Sequence, residues 1–289
     1  MVDLSIVIPV HNEAGNIGIL HQNIINVLNK TKLKYEIIVI DDGSTDSTFQ
    51  VLNNLKKIKI IKFRKNFGQT AAMMAGFKEA KGKIIVSLDG DLQNDPNDIP
   101  RLIEKLNEGY DAVSGWRFNR KDNFGKRIFS KFANYFRNLL IKDPIHDSGC
   151  SLRAYKKECF DDIELYGEMH RYLPAILSWK GFKLSEIKVN HHPRKYGKTK
   201  YNFWRVVKGF MDLINVWFWR KYSSRPLHIF GGIGLVLTIL GFILGISLLI
   251  ARQFFDYSLG QSQLPLLAVL IAVIGVQFFI SGLMADISI

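Results

Sequence analysis

The sequence predicts an α/β domain built on a mostly parallel sheet, followed by an interfacial amphipathic helix and two transmembrane helices. Three observations carry this expectation. Short Ile- and Val-rich runs alternate with helical patterns through the first half; a basic, Trp-rich amphipathic stretch follows; and two long uncharged stretches close the chain.

The apolar runs are Leu4 to Val10, Tyr35 to Ile40, Ile58 to Phe63, Lys83 to Leu88 and Asp111 to Ser114. Helical periodicity separates them at Ala14 to Asn29, Ser47 to Lys56, Gln69 to Ala80 and Pro96 to Glu108. Strand and helix alternating at this spacing imply a parallel sheet covered on both faces. The N-terminal run lacks the basic segment, longer apolar core and small-residue cleavage site of a signal peptide, and reads as the first strand.

From Lys200 to Arg220, Arg205, Lys208, Asp212 and Asn215 recur at three-to-four-residue steps. Trp204, Trp217, Trp219 and several phenylalanines occupy the rest of the helix, a pattern suited to the headgroup level. Leu227 to Ala251 and Leu264 to Ala285 carry no charge and are long enough to cross a hydrocarbon core of about 30 Å. Arg220, Lys221 and Arg225 precede the first span, so the positive-inside bias places the N-terminal region in the cytoplasm and makes the chain an integral protein of the cell membrane. The expected division is 1–199 for the N-terminal α/β domain, 200–225 for the juxtamembrane helix and 226–289 for the hairpin. Gly231, Gly232, Gly234, Gly241 and Gly245 allow close helix packing, within the hairpin or in a homo-oligomer.

The net charge of +13 is local. Residues 117–142 carry +7 and residues 180–225 carry +10, which calls for an anionic partner: phosphates, anionic lipid or nucleic acid. No zinc-finger or RNP-type motif is present, so nucleic acid is excluded as the expected partner. Cys150 and Cys159 form no CxxC pair and no disulfide scaffold, and indicate a reducing compartment.

In doubly wound sheets, ligands bind at the carboxyl ends of strands. The residues there are polar: His11-Asn12-Glu13, then Asp41-Asp42-Gly43-Ser44-Thr45-Asp46, then Asp89-Gly90-Asp91-Leu92-Gln93. Asp89 and Asp91 flank a glycine and can converge on one hard cation, the way magnesium or manganese is held against a diphosphate. No glycine-rich phosphate loop occurs, which leaves a metal and basic side chains to neutralise any diphosphate.

PVHNE at 9–13, DDGSTD at 41–46, NFGQTAAMMAGFKEAKG at 66–82 and DGDLQNDP at 89–96 resemble family 2 inverting glycosyltransferases of GT-A fold, nearest the dolichol-phosphate mannose synthase-like, polyprenyl-phosphate hexose synthase branch. The resemblance runs from about Ser5 to Tyr201 and continues in the paired spans. It implies that Pro9, Glu13 and Asp42 line the nucleotide pocket and that Asp89, Asp91 and Gln93 hold the metal and diphosphate. It further implies that Arg117 lies near the acceptor phosphate and that Arg127, Ser130 and Asn134 share one helix face. Asp147 and Arg153 match a segment closing the acceptor side, with two residues inserted at Cys150 and Ser151. Arg194 to Tyr201 matches a basic loop in which Arg194 and Lys200 stabilise the leaving diphosphate. Glu168 to Arg171 is a further substrate-facing candidate, with His170 read more readily as structural. The family pattern also implies a charged tail beyond Ile289.

The implied activity is transfer of a hexose, from a UDP-glucose or GDP-mannose type donor, to polyprenyl phosphate, with inversion and with a magnesium or manganese ion. Two alternatives compete. Polysaccharide synthases share the acidic motifs but bring more spans and a Gln-x-x-Arg-Trp motif that is absent here. A non-catalytic basic membrane scaffold accounts for the charge and the anchor but not for Asp89 and Asp91.

Overall fold

The computed structural model describes residues 2–118, 144–194, 211, 213–218, 221–222, 225–255 and 262–288. These form two compact units, Met1–Val216 and Trp217–Ile289.

The first unit is built on a seven-stranded sheet in the order β3-β2-β1-β4-β6-β5-β7. Its strands are β1 (Leu4–Val10), β2 (Tyr35–Asp41), β3 (Lys59–Lys62), β4 (Ile84–Ser87), β5 (Ala112–Trp116), β6 (Arg153–Lys156) and β7 (Leu184–Lys188). β1 pairs in parallel with both β2 and β4, and β2 with β3. Only β6 runs against its neighbours β4 and β5, so the other six strands end on one rim. The five strands read from the sequence are present; β6 and β7 are too short and too mixed in character to announce themselves.

Helices α1 (Ala14–Leu28), α2 (Thr48–Asn53), α3 (Gln69–Glu79), α4 (Ile99–Asn107) and α5 (Leu173–Trp179) cover the sheet. The 96–108 pattern opens as a 3-10 turn, Pro96–Asp98, before α4 begins. Because side chains alternate across a strand, β1 feeds two cores. Leu4, Ile6, Ile8 and Val10 pack with Ile17, Leu20 and Ile24 of α1 and with Leu102 and Leu106 of α4. Val7 turns the other way and joins Ile38, Ile40, Met73, Phe77 and Tyr155. Buried on both faces along nearly its whole length, β1 is apolar except at Ser5, as suits an interior parallel strand.

α3 lies against β1 and β2 at Gly76, where an added Cβ would come within 2.3 Å of Val7 Cγ1 and 2.7 Å of Ile40 Cδ1. This contact fixes the height of α3 and hence of its first residue, Gln69, at the rim.

Of the expected interfacial helix, residues 211, 213–218 and 221–222 are described, and all are helical. Leu213 and Val216 are buried in the second core cluster, so one face of its middle turn serves the first unit. Residues 200–210, and Arg127, Ser130 and Asn134, lie outside the described residues.

In the second unit, α6 (Leu227–Phe255) and α7 (Leu264–Ile287) have 29 and 24 residues, long and apolar enough to span a membrane. Their side chains are largely exposed: Phe242, Leu249, Leu266 and Met284 are each at least 60% accessible, the reverse of a soluble core helix. The helices meet through small residues. A Cβ on Gly234 would lie 2.6 Å from the Gly275 carbonyl oxygen, and one on Gly275 would lie 2.4 Å from the Thr238 nitrogen. Gly232 and Gly245 meet nothing, so the sequence's glycines divide between the hairpin seam and its open faces.

Gly76→Val would force branched carbons into a filled space, and the cost of such overpacking is about 1–3 kcal/mol. A lowered thermal midpoint by circular dichroism is expected for Gly76→Val, and an unchanged one for Gly232→Val.

Candidate active site

At the carboxyl ends of β1, β2 and β4 a cavity of about 570 Å³ opens, lined by residues that include Pro9, His11, Glu13, Asp42, Gln69, Asp89, Asp91, Gln93, Glu168 and Arg194. Two turns on its wall hold non-glycine residues in the left-handed region, Asn12 at φ 58° and Leu92 at φ 63°. Such conformations persist only when the surroundings impose them. Asn12 is held by its Oδ1, which accepts from the Thr45 backbone N–H at 2.8 Å, and by its own N–H, which donates to Ser44 Oγ at 2.9 Å. Leu92 is anchored by burial in the core, so Asp91 and Gln93 are turned out on either side of it. The Gln93 N–H donates to Asp91 Oδ1 at 3.1 Å.

β2 ends at Asp41, and the Asp42 N–H still bonds the Val10 carbonyl at 2.9 Å, which joins the first two strand ends. The Asp42 carboxylate accepts from the backbone N–H groups of Phe67 (2.7 Å) and Gly68 (2.9 Å). It thereby shapes the loop that delivers α3. At the start of α3, Gln69 Nε2 donates to Asp89 Oδ1 at 2.7 Å. Sequence reading assigned Gln69 no role, although its place directly after a strand–loop–glycine junction was a usable signal.

Asp89 lies at the cavity floor, and its pKa is pushed up to about 6. Burial is the main cause and the neighbouring Asp91 charge the next, opposed by Ser151, Arg117 and Arg153. Arg194 reaches in from beyond β7: its Nη2 donates to Asp91 Oδ2 at 2.8 Å and lies 3.6 Å from Glu13 Oε1. Burial by itself would lower the Arg194 pKa, but the Asp91 hydrogen bond and charge, with Glu13 and Asp89, raise it. Five carboxylates thus line the cavity (Glu13, Asp42, Asp89, Asp91 and Glu168) with a single guanidinium among the described lining residues.

Of the cations expected to meet phosphate, Arg194 lies in this cavity, and Arg117 stands on the same rim at the end of β5. Its Nε donates to Asp147 Oδ2 at 2.7 Å and its Nη2 to Asp147 Oδ1 at 2.8 Å, a bidentate pair in which both side chains are largely buried. Asp147 outweighs the burial of Arg117 and raises its pKa. Arg153 is buried behind the site and donates to the His170 carbonyl at 3.1 Å. The His170 ring pairs with Thr70 Oγ1 at 2.7 Å, while that hydroxyl donates to the Gly167 carbonyl at 2.6 Å. These contacts tie α3 to the 167–170 turn, and Glu168 rather than His170 lines the cavity. Arg127 and Lys200 lie outside the described residues.

Among the described residues no three His, Cys, Asp or Glu side chains converge as a metal cage. The donor set nevertheless fits a magnesium or manganese ion, which is commonly held by one or two carboxylates and completed by substrate phosphate. Asp89 and Asp91 are two such carboxylates.

Residues 5–164 match the family model described as glycosyl transferase family 2. The dodecaprenyl-phosphate galacturonate synthase of Rhizobium johnstonii is 35% identical over 297 residues, covering 99% of this chain and 87% of that protein. The undecaprenyl-phosphate 4-deoxy-4-formamido-L-arabinose transferase of Proteus mirabilis is 32% identical, covering 98% and 87%. Among solved structures, the Mycobacterium tuberculosis glucosyl-3-phosphoglycerate synthase in complex with Mn2+, UDP and glucosyl-3-phosphoglycerate superposes with a TM-score of 0.58 at 18% identity. It covers 76% of this chain and 80% of that one. The mannosyl-3-phosphoglycerate synthase of Rubrobacter xylanophilus superposes at 0.62 with 15% identity, covering 75% and 74%. At these identities the structures establish the GT-A fold. With the match over more than half its length and relatives alike from end to end, this chain belongs to glycosyl transferase family 2 and is a glycosyltransferase with a GT-A catalytic domain.

Proposed function

We propose that this enzyme transfers a sugar from a nucleoside-diphosphate sugar to polyprenyl phosphate at the cytoplasmic face of the cell membrane, with inversion and in dependence on magnesium or manganese. The observation that carries this reading is the acidic cavity at the strand ends. A diphosphate entering beside Asp89 and Asp91 meets charge of its own sign, which a divalent cation held between them would offset together with Arg194. When bound there, that cation supplies charge neutralisation to the leaving diphosphate. Two relatives named for polyprenyl-phosphate substrates, and two helices long and apolar enough to span a membrane, support a lipid acceptor.

Pro9, Glu13 and Asp42 form the nucleotide end of the cavity; Asp89, Asp91 and Gln93 form its diphosphate and metal end. Arg194, with Lys200, stabilises the departing nucleoside diphosphate. Arg117, with Arg127, holds the acceptor phosphate, and Asp147 grips Arg117 so that one fixed edge of the guanidinium remains to be presented. The acceptor needs positioning more than deprotonation, because a phosphate monoester has a second pKa of about 6 and is anionic near neutral pH. Direct in-line displacement at the anomeric carbon then inverts configuration without a covalent enzyme intermediate. The relatives' names widen the donor beyond UDP-glucose and GDP-mannose to uronic and formamido sugars.

Release of nucleoside diphosphate from a panel of UDP- and GDP-sugars, by detergent-solubilised protein with manganese and polyprenyl phosphate, tests the reading. Turnover should need the acceptor, stop on chelation and fall by about 100-fold or more in Asp91→Asn; acceptor-independent or chelator-resistant turnover contradicts it.

Arg117→Ala should raise the KM for polyprenyl phosphate by roughly 10- to 100-fold, the worth of a charge-assisted contact, with the donor KM little changed. Asp147→Ala should do the same and also destabilise the fold by about 3–5 kcal/mol in denaturant titration, because it leaves a buried guanidinium without its partner.

A further inference from the structure

Every carboxylate oxygen of Asp91 is engaged. Oδ1 accepts from the Gln93 backbone N–H, and Oδ2 accepts from Arg194 Nη2 at 2.8 Å. Arg194 Nη2 also lies 3.6 Å from Glu13 Oε1, so one guanidinium spans the ends of β1 and β4 across the cavity. The three side chains are mostly withdrawn from solvent, with Asp91 10%, Glu13 12% and Arg194 23% accessible, where a charge pair is less screened than on an open surface. A divalent cation placed on Asp91 Oδ2 would sit close to the Arg194 guanidinium and be repelled by it.

We propose that Arg194 is a built-in counter-cation for Asp91, which the metal must displace and which the donor's diphosphate then receives. This rests on the metal reading of Asp91 given above and adds an order to it. In the donor-free enzyme the metal competes with Arg194 and binds weakly. In the presence of a nucleoside diphosphate, the displaced guanidinium finds an anionic partner, and the penalty disappears. Metal and donor then favour each other's binding, and linkage makes the effect reciprocal. Arg194 accordingly works twice, first holding the acidic cavity together without its metal and then neutralising the leaving group.

The test is Mn2+ binding, read as loss of the free-ion paramagnetic resonance signal. The samples are the detergent-solubilised full chain as wild type, Arg194→Gln, Arg194→Lys and Asp91→Asn, each without nucleotide and with saturating UDP or GDP. Without nucleotide, Arg194→Gln should bind Mn2+ about tenfold more tightly than wild type, and Arg194→Lys should stay near wild type. Nucleotide should tighten Mn2+ binding far more in wild type than in Arg194→Gln. Nucleotide-free affinity equal to or weaker than wild type in Arg194→Gln overturns the counter-cation role while leaving the metal site standing. Equal Mn2+ binding by wild type and Asp91→Asn, with nucleotide present, overturns the metal reading itself and this inference with it.

Discussion

Negative charge gathered on one rim of the sheet is the constraint on which the rest of the site depends. Glu13, Asp42, Asp89, Asp91 and Glu168 all face a single cavity, and a diphosphate brings more charge of the same sign. Every feature around them answers that repulsion. Asp42 is committed to two backbone N–H groups, Asp89 is gripped by Gln69 with its pKa raised by burial, and Asp91 is paired with Arg194. In the proposed reaction a divalent cation would add positive charge here beside Arg194.

The fold positions these groups because six of the seven strands end at the same edge. β1 is buried on both faces and cannot shift, so the His11 to Glu13 turn is fixed where it leaves the strand. Gly76 lets α3 settle onto β1 and β2 closely enough that Gln69 meets Asp89, while Thr70 in the same turn engages the 167–170 segment. One helix N-terminus therefore links the floor of the cavity to its far wall. Arg117 and Asp147, on the β5 side, form a second ionic unit, whose guanidinium also favours the ionised form of Asp89. The proposed reaction uses the two units for different phosphates: the donor's in the acidic cavity and the acceptor's at the guanidinium.

Much of this was legible in the sequence, for identifiable reasons. The parallel strands are runs of Ile and Val bounded by polar turns, and the acidic residues follow them directly, so periodicity alone located Glu13, Asp42, Asp89 and Asp91 at strand ends. The two apolar helices announced themselves by the absence of charge. What stayed hidden was tertiary. β6 and β7 have four and five residues and no alternation strong enough to read. The pairing of Arg194 with Asp91 joins positions 103 apart in the chain, and that of Gln69 with Asp89 follows from helix packing, not from spacing. Net charge pointed only to an anionic partner and not to the cavity: its described lining is acidic, with Arg194 the one residue there from the basic 180–225 segment.

The central claim is that this cavity cannot hold a nucleoside diphosphate without a divalent cation. Calorimetric titration of UDP and of GDP into the detergent-solubilised protein, in chelator and then in manganese, measures it directly. The account predicts that binding of the preferred nucleotide is lost in chelator and restored by manganese. The same affinity under both conditions would contradict it, because the protein's own side chains would then suffice by themselves.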